Sequence, residues 1–422
     1  MEEWKEYRLG DVCDISIGRT PPRAESEWFN PQVDFYNWIS IKDMGVCGKH
    51  ISSTSETISI EGQKRFNIPL VLPNTVILSF KLTVGRVAIT SNKIMLTNEA
   101  IAQLPINDSN ILDNDFLYYY LKNYNYSTLG STSSIATAVN SKMVKDITIL
   151  CPSLPTQKKI ASILSSLDDK IEVNRRINEN LEQQAQALYK SWFVDFEPFR
   201  EGEFVESELG RIPKGWRVAK IKDIPHTLNT GKRPKGGAIA SGVPSIGAEQ
   251  LKGLCNYDYA KTKYISKEYS QSIPKGKVIG YEVYLNRVGG KPGDYIQNTT
   301  MFGEGYPYEN CYINDHVFKL DFMQNRGYNV YIYFTFLTSR IKKYLNACGG
   351  KAAIPVINKQ NIDDIYVFLP ENEYVIKFGK SILPIMNIIF KNGLESARLA
   401  ELRDMLLPKL MSGEINVNEV KI

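Results

Sequence analysis

Three cations and three glycines fall within seven residues at Gly231-Lys232-Arg233-Pro234-Lys235-Gly236-Gly237. In such a loop, main-chain N–H groups and side-chain charges can approach phosphates together. The same coupling returns where Arg287 and Lys291 flank Gly289-Gly290, and where Lys342-Lys343 and Lys351 bracket Gly349-Gly350. Nearer the N-terminus the counterparts are Arg19 and Arg23, Lys81 and Arg86, Lys49-His50, and the polar run Ser131-Thr132-Ser133-Ser134. Arg and Lys can read guanine edges, and Asn, Gln and Ser offer other base contacts. Tyr306 and Tyr308 add rings for stacking on sugars or bases, whereas Tyr118, Tyr119 and Tyr120 read as helix packing. The chemistry on offer is recognition of a polyanion.

Catalytic chemistry is sparse beside it. The three histidines, His50, His226 and His316, form no metal-ligand pair on one helix face and adjoin no nucleophile motif. Neither Gly-x-x-x-x-Gly-Lys-Ser/Thr nor Gly-x-Gly-x-x-Gly after a strand occurs. The Asn-Pro-Pro-aromatic tetrapeptide of enzymes that methylate DNA amino groups is missing too. Six cysteines are scattered without short paired spacing, which argues against a zinc knuckle and a disulfide framework and for reduced thiols in the cytoplasm. The N-terminus is acidic where a secretory leader is basic then apolar, and no run approaches a membrane span. Net charge is only +5 over 422 residues, but it is uneven. Residues 1–155 hold 14 basic and 16 acidic side chains, residues 201–370 hold 23 and 16. The excess lies in the segment that carries the Gly-rich basic loops, and a local patch matters more than whole-domain charge.

The elements that position these loops are written twice. Trp4 and Leu9-Gly10-Asp11-Val12 recur as Trp216 and Ile221-Lys222-Asp223-Ile224, and Gly18-Arg19-Thr20-Pro21 as Gly231-Lys232-Arg233-Pro234. Further on, Leu72 to Leu78 aligns with Ile273 to Ile279, Asn98-Glu99-Ala100-Ile101 with Asn314-Asp315-His316-Val317, Ile135 to Asn140 with Ala353 to Asn358, and Ile147 to Pro152 with Ile365 to Pro370. Each copy runs through short β-branched stretches broken by Gly, Pro and Asn before a helical stretch. Val76 to Phe80, Gly85 to Thr90 and Ile147 to Leu150 read as strands, and Phe116 to Lys122 as a short helix.

The helical stretch from about Thr156 to Phe193 lacks Gly and Pro and would reach roughly 55 Å. Leu164, Leu167, Ile171, Leu181, Ala185, Leu188 and Trp192 fall three and four residues apart, with Asn174 and Asn178 between them, which is a coiled-coil seam. The second copy carries the same stripe at Ile382, Ile385, Ile389, Asn392, Ser396, Leu399, Arg403, Leu406 and Leu410. Two narrow stripes in one chain can bury each other, with the asparagines fixing register. Pro384 and Gly393 predict a second helix that kinks at Pro384 or starts only after it. Two similar modules on an antiparallel helix pair would share an approximate two-fold axis. About one turn of duplex, ~34 Å, would then separate two half-sites on one groove face.

Here the chain resembles the specificity subunit of type I restriction-modification systems. The resemblance rests on arrangement over nearly the whole length. It rests also on Pro152-Ser153-Leu154-Pro155-Thr156-Gln157-Lys158-Lys159-Ile160 leading to Leu164 and Leu167-Asp168-Asp169-Lys170-Ile171, on Leu188-Tyr189-Lys190-Ser191-Trp192-Phe193 with Phe196, and on Leu406 to Ile415. Pro370-Glu371-Asn372-Glu373-Tyr374 departs from it, lacking the Thr-Gln-Lys opening of the first spacer. The resemblance implies an α+β architecture: two similar mixed α/β target-recognition domains (1–155 and 201–370) separated by two long antiparallel coiled-coil spacer helices (156–200 and 371–422) with pseudo-two-fold symmetry. It implies a non-catalytic chain that binds a bipartite, asymmetric double-stranded DNA target with an unread gap. Its implied partners are two methyltransferase subunits carrying S-adenosylmethionine and ATP-driven endonuclease subunits, so that S-adenosylmethionine, ATP and Mg belong to the partners. The DNA-binding candidates are Arg19, Arg23, Lys49, Lys81, Arg86, Ser133, Lys232, Arg233, Lys235, Arg287, Lys291, Lys343 and Lys351. The helix-pairing candidates are Leu164, Leu167, Ile171, Asn174, Leu181, Leu188, Ile385, Ile389, Asn392, Leu399 and Leu406. An adaptor whose two modules bind protein surfaces is the alternative that fits the same pattern.

Overall fold

The computed structural model describes residues 4–129, 140–322, 325–350 and 353–417. The chain divides into two compact units, one formed by the chain up to Glu172 with the chain from Arg398 onward, the other by Val173–Ala397. Both are mixed α and β, and they repeat one topology.

In the first unit, Lys5–Arg8 pairs antiparallel with Thr148–Cys151, so the two ends of the recognition segment are tied together. Inside lies a five-stranded sheet in the order Ser16–Ile17, Ile101–Leu104, Val76–Ser79, Val87–Thr90, His50–Ile51. All four residues of Val76–Ser79 are buried, the pattern of a strand covered on both faces. A second sheet sets Phe35–Ile39 antiparallel to Glu56–Ser59 and parallel to Met95–Thr97. The helix Asn114–Asn123 starts where the Asp113 carboxylate accepts from Phe116 N–H at 3.0 Å.

The second unit repeats this order. Arg217–Lys220 pairs with Tyr366–Leu369. A four-stranded sheet runs Thr227–Thr230, Val317–Asp321, Val283–Asn286, Thr299–Met301. Val243–Ile246 lies antiparallel to Lys263–Ile265 and parallel to Tyr312–Ile313. Its helix Arg326–Leu337 packs on Val283–Asn286 and Thr299–Met301, and the helix Ser339–Gly349 packs on Arg326–Leu337.

One stretch of the sequence alignment is out of register. Val76 faces Leu104 in its sheet, and Val283 faces Leu320, so the counterpart of Val76 is Val283, six residues beyond the place aligned with it. The turns before the two strands agree with this, since Asn74 and Tyr281 both take left-handed backbone, φ 56° and 68°. Pro73 and Pro274 sit in different turns, and their likeness misled the alignment.

The first long helix spans Leu154–Phe193, with Pro155 in the first turn, where a missing N–H costs nothing. The second spans Asn372–Met411 and runs through Pro384 without ending, correcting the expectation of a start there. Val375, Phe378, Ile382, Met386 and Ile389 are all buried in the core of the second unit, and that burial outweighs the roughly 3 kcal/mol cost of an interior proline. Gly393 does not loosen this helix; it admits Cys255 and Tyr306, whose atoms would lie 2.8 Å from an added Cβ. Among the described residues, no helix is long and apolar enough to cross a membrane.

Candidate nucleic-acid interface

Sheet register brings the N-terminal cations together. Ile17 pairs with Ala102 and Ser79 with Ile101, so the chain leaves Ile17 and Ser79 at the same end of the sheet where it enters Ile101. Gly18-Arg19-Thr20, Asn98-Glu99-Ala100 and Phe80-Lys81-Leu82 therefore border one another. Gly18 is required there, because a Cβ would lie 2.0 Å from the Thr97 carbonyl oxygen. Arg19 is exposed and donates to the Phe66 carbonyl at 3.1 Å, and the Thr20 hydroxyl donates to Glu99. Lys81 is half-buried beside the Phe80 ring. Arg86 enters the adjoining strand with its guanidinium donating to the Ile41 carbonyl.

The second unit builds the same corner. Thr230 pairs with Phe318 and Asn286 with Val317, so Gly231-Lys232-Arg233, Asn314-Asp315-His316 and Arg287 leave one sheet end. A Cβ at Gly231 would lie 1.7 Å from the Ile313 carbonyl oxygen, the same close approach as at Gly18. Identical side-chain turns shape both corners: Asn98 accepts from Ala100 N–H at 3.0 Å, Asn314 from His316 N–H at 2.9 Å. Arg233 lies 3.4 Å from Asp315, and the Arg287 N–H donates to the His316 carbonyl at 2.7 Å. Lys232, Lys235, Arg287 and Lys291 are exposed, the last on the hairpin Gly290–Lys291 with Asp294–Tyr295. Lys343 is exposed on Ser339–Gly349, a helix that packs on that hairpin. Ser133 and Lys351 lie outside the described residues.

Two of the residues singled out for nucleic acid, Lys49 and Tyr306, are turned inward. The Lys49 side chain is 6% exposed, paired to Asp115 at 2.8 Å and donating to Ser165 at 2.6 Å. Arg23, by contrast, makes a two-pronged pair with Glu56 at 2.6 and 3.0 Å and lies over Phe29 and Trp38 while its side chain stays 55% exposed. Tyr306 is buried against Phe302 and Phe390. An Arg or Lys in sequence signals a charge, and a tyrosine a ring, but neither reveals whether the fold turns it inward.

The helix seam can be followed in each unit. In the second, the Asn174 amide donates to Glu395 at 2.7 Å, Asn178 donates to the Ile389 carbonyl at 3.1 Å, and Asn392 donates to Asn178 at 2.9 Å. Residue numbers rise on one helix as they fall on the other, which is antiparallel pairing. Leu181, Leu188 and Ile385 pack against the same core, and Ile389 is inside it. In the first unit, Leu164 joins Leu407, Leu410 and Met411, with Leu406 packed against them. Leu167, Ile171 and Leu399 are half-buried. Sequence reading missed the polar centre of this pairing. Arg403 and Asp168 meet at 2.5 Å, and the Tyr119 hydroxyl donates to the other Asp168 oxygen at 2.7 Å. Burial, then the neighbouring Asp168 charge, holds that hydroxyl protonated well above its usual range. An arginine in a heptad stripe, where a leucine is the norm, was the available signal.

No group of three or more His, Cys, Asp or Glu that could hold a metal occurs among the described residues. Burial pushes the Cys13 and Cys311 thiols up to about 12 and Cys151 to about 11, so these sulfurs stay protonated and unreactive near neutral pH.

Residues 1–183 match the family model described as type I restriction modification DNA specificity domain. The type I restriction enzyme MjaIX specificity subunit of Methanocaldococcus jannaschii is 27% identical over 432 aligned residues, covering 99% of this chain and 95% of the relative. The HindI specificity subunit of Haemophilus influenzae is 25% identical, covering 98% of this chain and all of its own length. Among solved structures, the type I restriction-modification S subunit from M. genitalium shares the fold at a TM-score of 0.57 and 16% identity, over 97% of this chain and 96% of its own.

Proposed function

We propose that this chain is a type I restriction-modification specificity subunit, as its likeness to such subunits supports, and that each unit reads one half of a bipartite double-stranded DNA target through its loop-bearing sheet end. The bases between the half-sites stay unread. The chain itself is the non-catalytic specificity component. In this reading two methyltransferase subunits bring S-adenosylmethionine to an adenine, and endonuclease subunits bring ATP and Mg, all in the cytoplasm. The observation that carries the reading is the repeated corner: Gly18-Arg19 beside Glu99 and Lys81, and Gly231-Lys232-Arg233 beside Asp315 and Arg287. Close approach of backbone at the glycine, flanked by exposed cations, suits a phosphate and a base edge together. The two corners differ in side chains, which suits two different half-sites.

Arg233 tests this at a single residue. Its charge is exposed and, among the described residues, paired with the partly exposed Asp315, so Arg233→Ala should leave thermal unfolding unchanged. DNA affinity of the full chain should fall about tenfold at moderate salt, and the slope of log affinity against log salt should drop by about 0.9. Fluorescence anisotropy with a labelled duplex carrying the target measures both. Unchanged affinity and slope in a folded variant would remove this corner from the interface, and a wild-type chain that binds no duplex would favour a protein-binding adaptor.

A further inference from the structure

The loop after Val76–Ser79 carries a side chain that the described residues of its unit leave almost wholly exposed. Leu82 is 94% exposed, and its backbone is left-handed, φ 62°. A leucine in that conformation is strained, and full exposure of its side chain returns no burial for it. The loop is nevertheless tied down. The fully buried Ser79 donates its hydroxyl to the Thr83 carbonyl at 2.5 Å and accepts from Arg86 N–H at 3.0 Å. Thr83 N–H donates to the Lys81 carbonyl at 2.7 Å, and Gly85 N–H to the Ser79 carbonyl at 2.9 Å. Gly85 itself, φ 91°, passes so close to Tyr126 that a Cβ would lie 2.8 Å from its ring. Leu82 is thus held out from a braced loop, on the sheet end where Arg19 and Lys81 collect.

We propose that Leu82 is an apolar wedge that enters the duplex between two base pairs of the half-site read by the first unit, unstacking and kinking it there. This rests on the DNA-reading function proposed above and adds to it how one position is read. An apolar side chain set rigidly among cations is what such insertion requires: the cations hold the phosphates, and the unstacked bases supply the burial that the free chain lacks. Insertion costs least at a pyrimidine–purine step, so the wedge reads deformability where no hydrogen bond reads a base. The equivalent stretch of the second unit is arranged differently, and its most exposed large apolar side chain among the described residues is Ile296, at 48%. There Val288 is half-buried and bridged to Val356, and Gly289 N–H donates to the Pro355 carbonyl at 3.2 Å.

The test is selection of duplexes from a randomised double-stranded pool by the full-length chain, wild type against Leu82→Ala and Leu82→Met, with circular dichroism to verify folding. Wild type should enrich two blocks of bases, with a pyrimidine–purine step at a fixed place in one of them. Leu82→Ala should keep both blocks, lose that step, and bind the enriched duplex about tenfold more weakly, while Leu82→Met keeps the step. Leu82→Ala that retains the step and binds within about twofold of wild type overturns the wedge. So does equal weakening of every position in both blocks. If wild type enriches no sequence at all, the DNA-reading function fails first and the wedge falls with it.

Discussion

Asp168→Ala should destabilise the first unit by about 3–5 kcal/mol, on the order of 10 °C in its unfolding midpoint. Asp168 is 9% exposed, and the Arg403 side chain 15%. Removing the carboxylate leaves a guanidinium with little access to water, its remaining pair being the exposed Asp404 at 2.7 Å, and strands the Tyr119 hydroxyl that donated to Asp168. The reasoning has a built-in control. A buried pair contributes little net stability relative to apolar residues of like size, because desolvating both charges offsets their attraction. Asp168→Leu combined with Arg403→Leu and Tyr119→Phe should therefore recover most of what Asp168→Ala loses. Thermal unfolding followed by tryptophan fluorescence distinguishes these results. A single variant within about 1 kcal/mol of wild type would mean that the pair is solvated and the helices are held by Leu164, Leu407 and Leu410 alone.

Leu181→Asp together with Leu188→Asp should cost the second unit about 5 kcal/mol. Both leucines pack on a core that includes Ala185, Tyr189 and Phe193 of their own helix, and each change removes apolar burial and sets a carboxylate beside it. The neighbourhood is densely aromatic. Tyr189 stacks on Phe334 at 5.8 Å and bonds Thr335 at 2.9 Å, and Phe193 meets Tyr331 edge-on at 4.8 Å. The helix is thus continuous with the core of the recognition module. Gln183→Asp, on the exposed face of the same turn, should stay within about 0.5 kcal/mol. Equal effects of the two changes in chemical denaturation would refute a directed seam.

What the residues disclosed in advance follows a physical line. Periodicity and breakers are local, so the two long helices, the strands at Val76 and Val87, and the repeat itself could be read directly. Gly18 and Gly231 were visible as matched glycines, although the carbonyls that exclude a Cβ come from strands some eighty residues further on. Failures came where tertiary packing decides. Pro384 lies inside a helix because the hydrophobic positions around it are buried, a fact of the core and not of propensity. Val283 was displaced by a six-residue offset because a shared proline outweighed a shared left-handed turn at Asn74 and Tyr281. Lys49 looked like a free cation next to a histidine, and only the fold reveals Asp115 and Ser165 beside it. Asp168 and Arg403 are 235 residues apart in the chain, beyond any local pattern. The recognition loops were legible as basic, Gly-rich segments. Their convergence on equivalent sheet ends depends on strand register.

Methylome sequencing of the parent strain beside strains carrying deleted or altered copies of this gene bears most directly on two similar modules that read separate halves of one target. Deletion should abolish adenine methylation at a single motif composed of two specified blocks and an unspecified gap, and exchange of residues 1–155 for those of a relative should rewrite one block while the other survives. An unaltered methylome after deletion, or one uninterrupted motif that the exchange rewrites throughout, would contradict it.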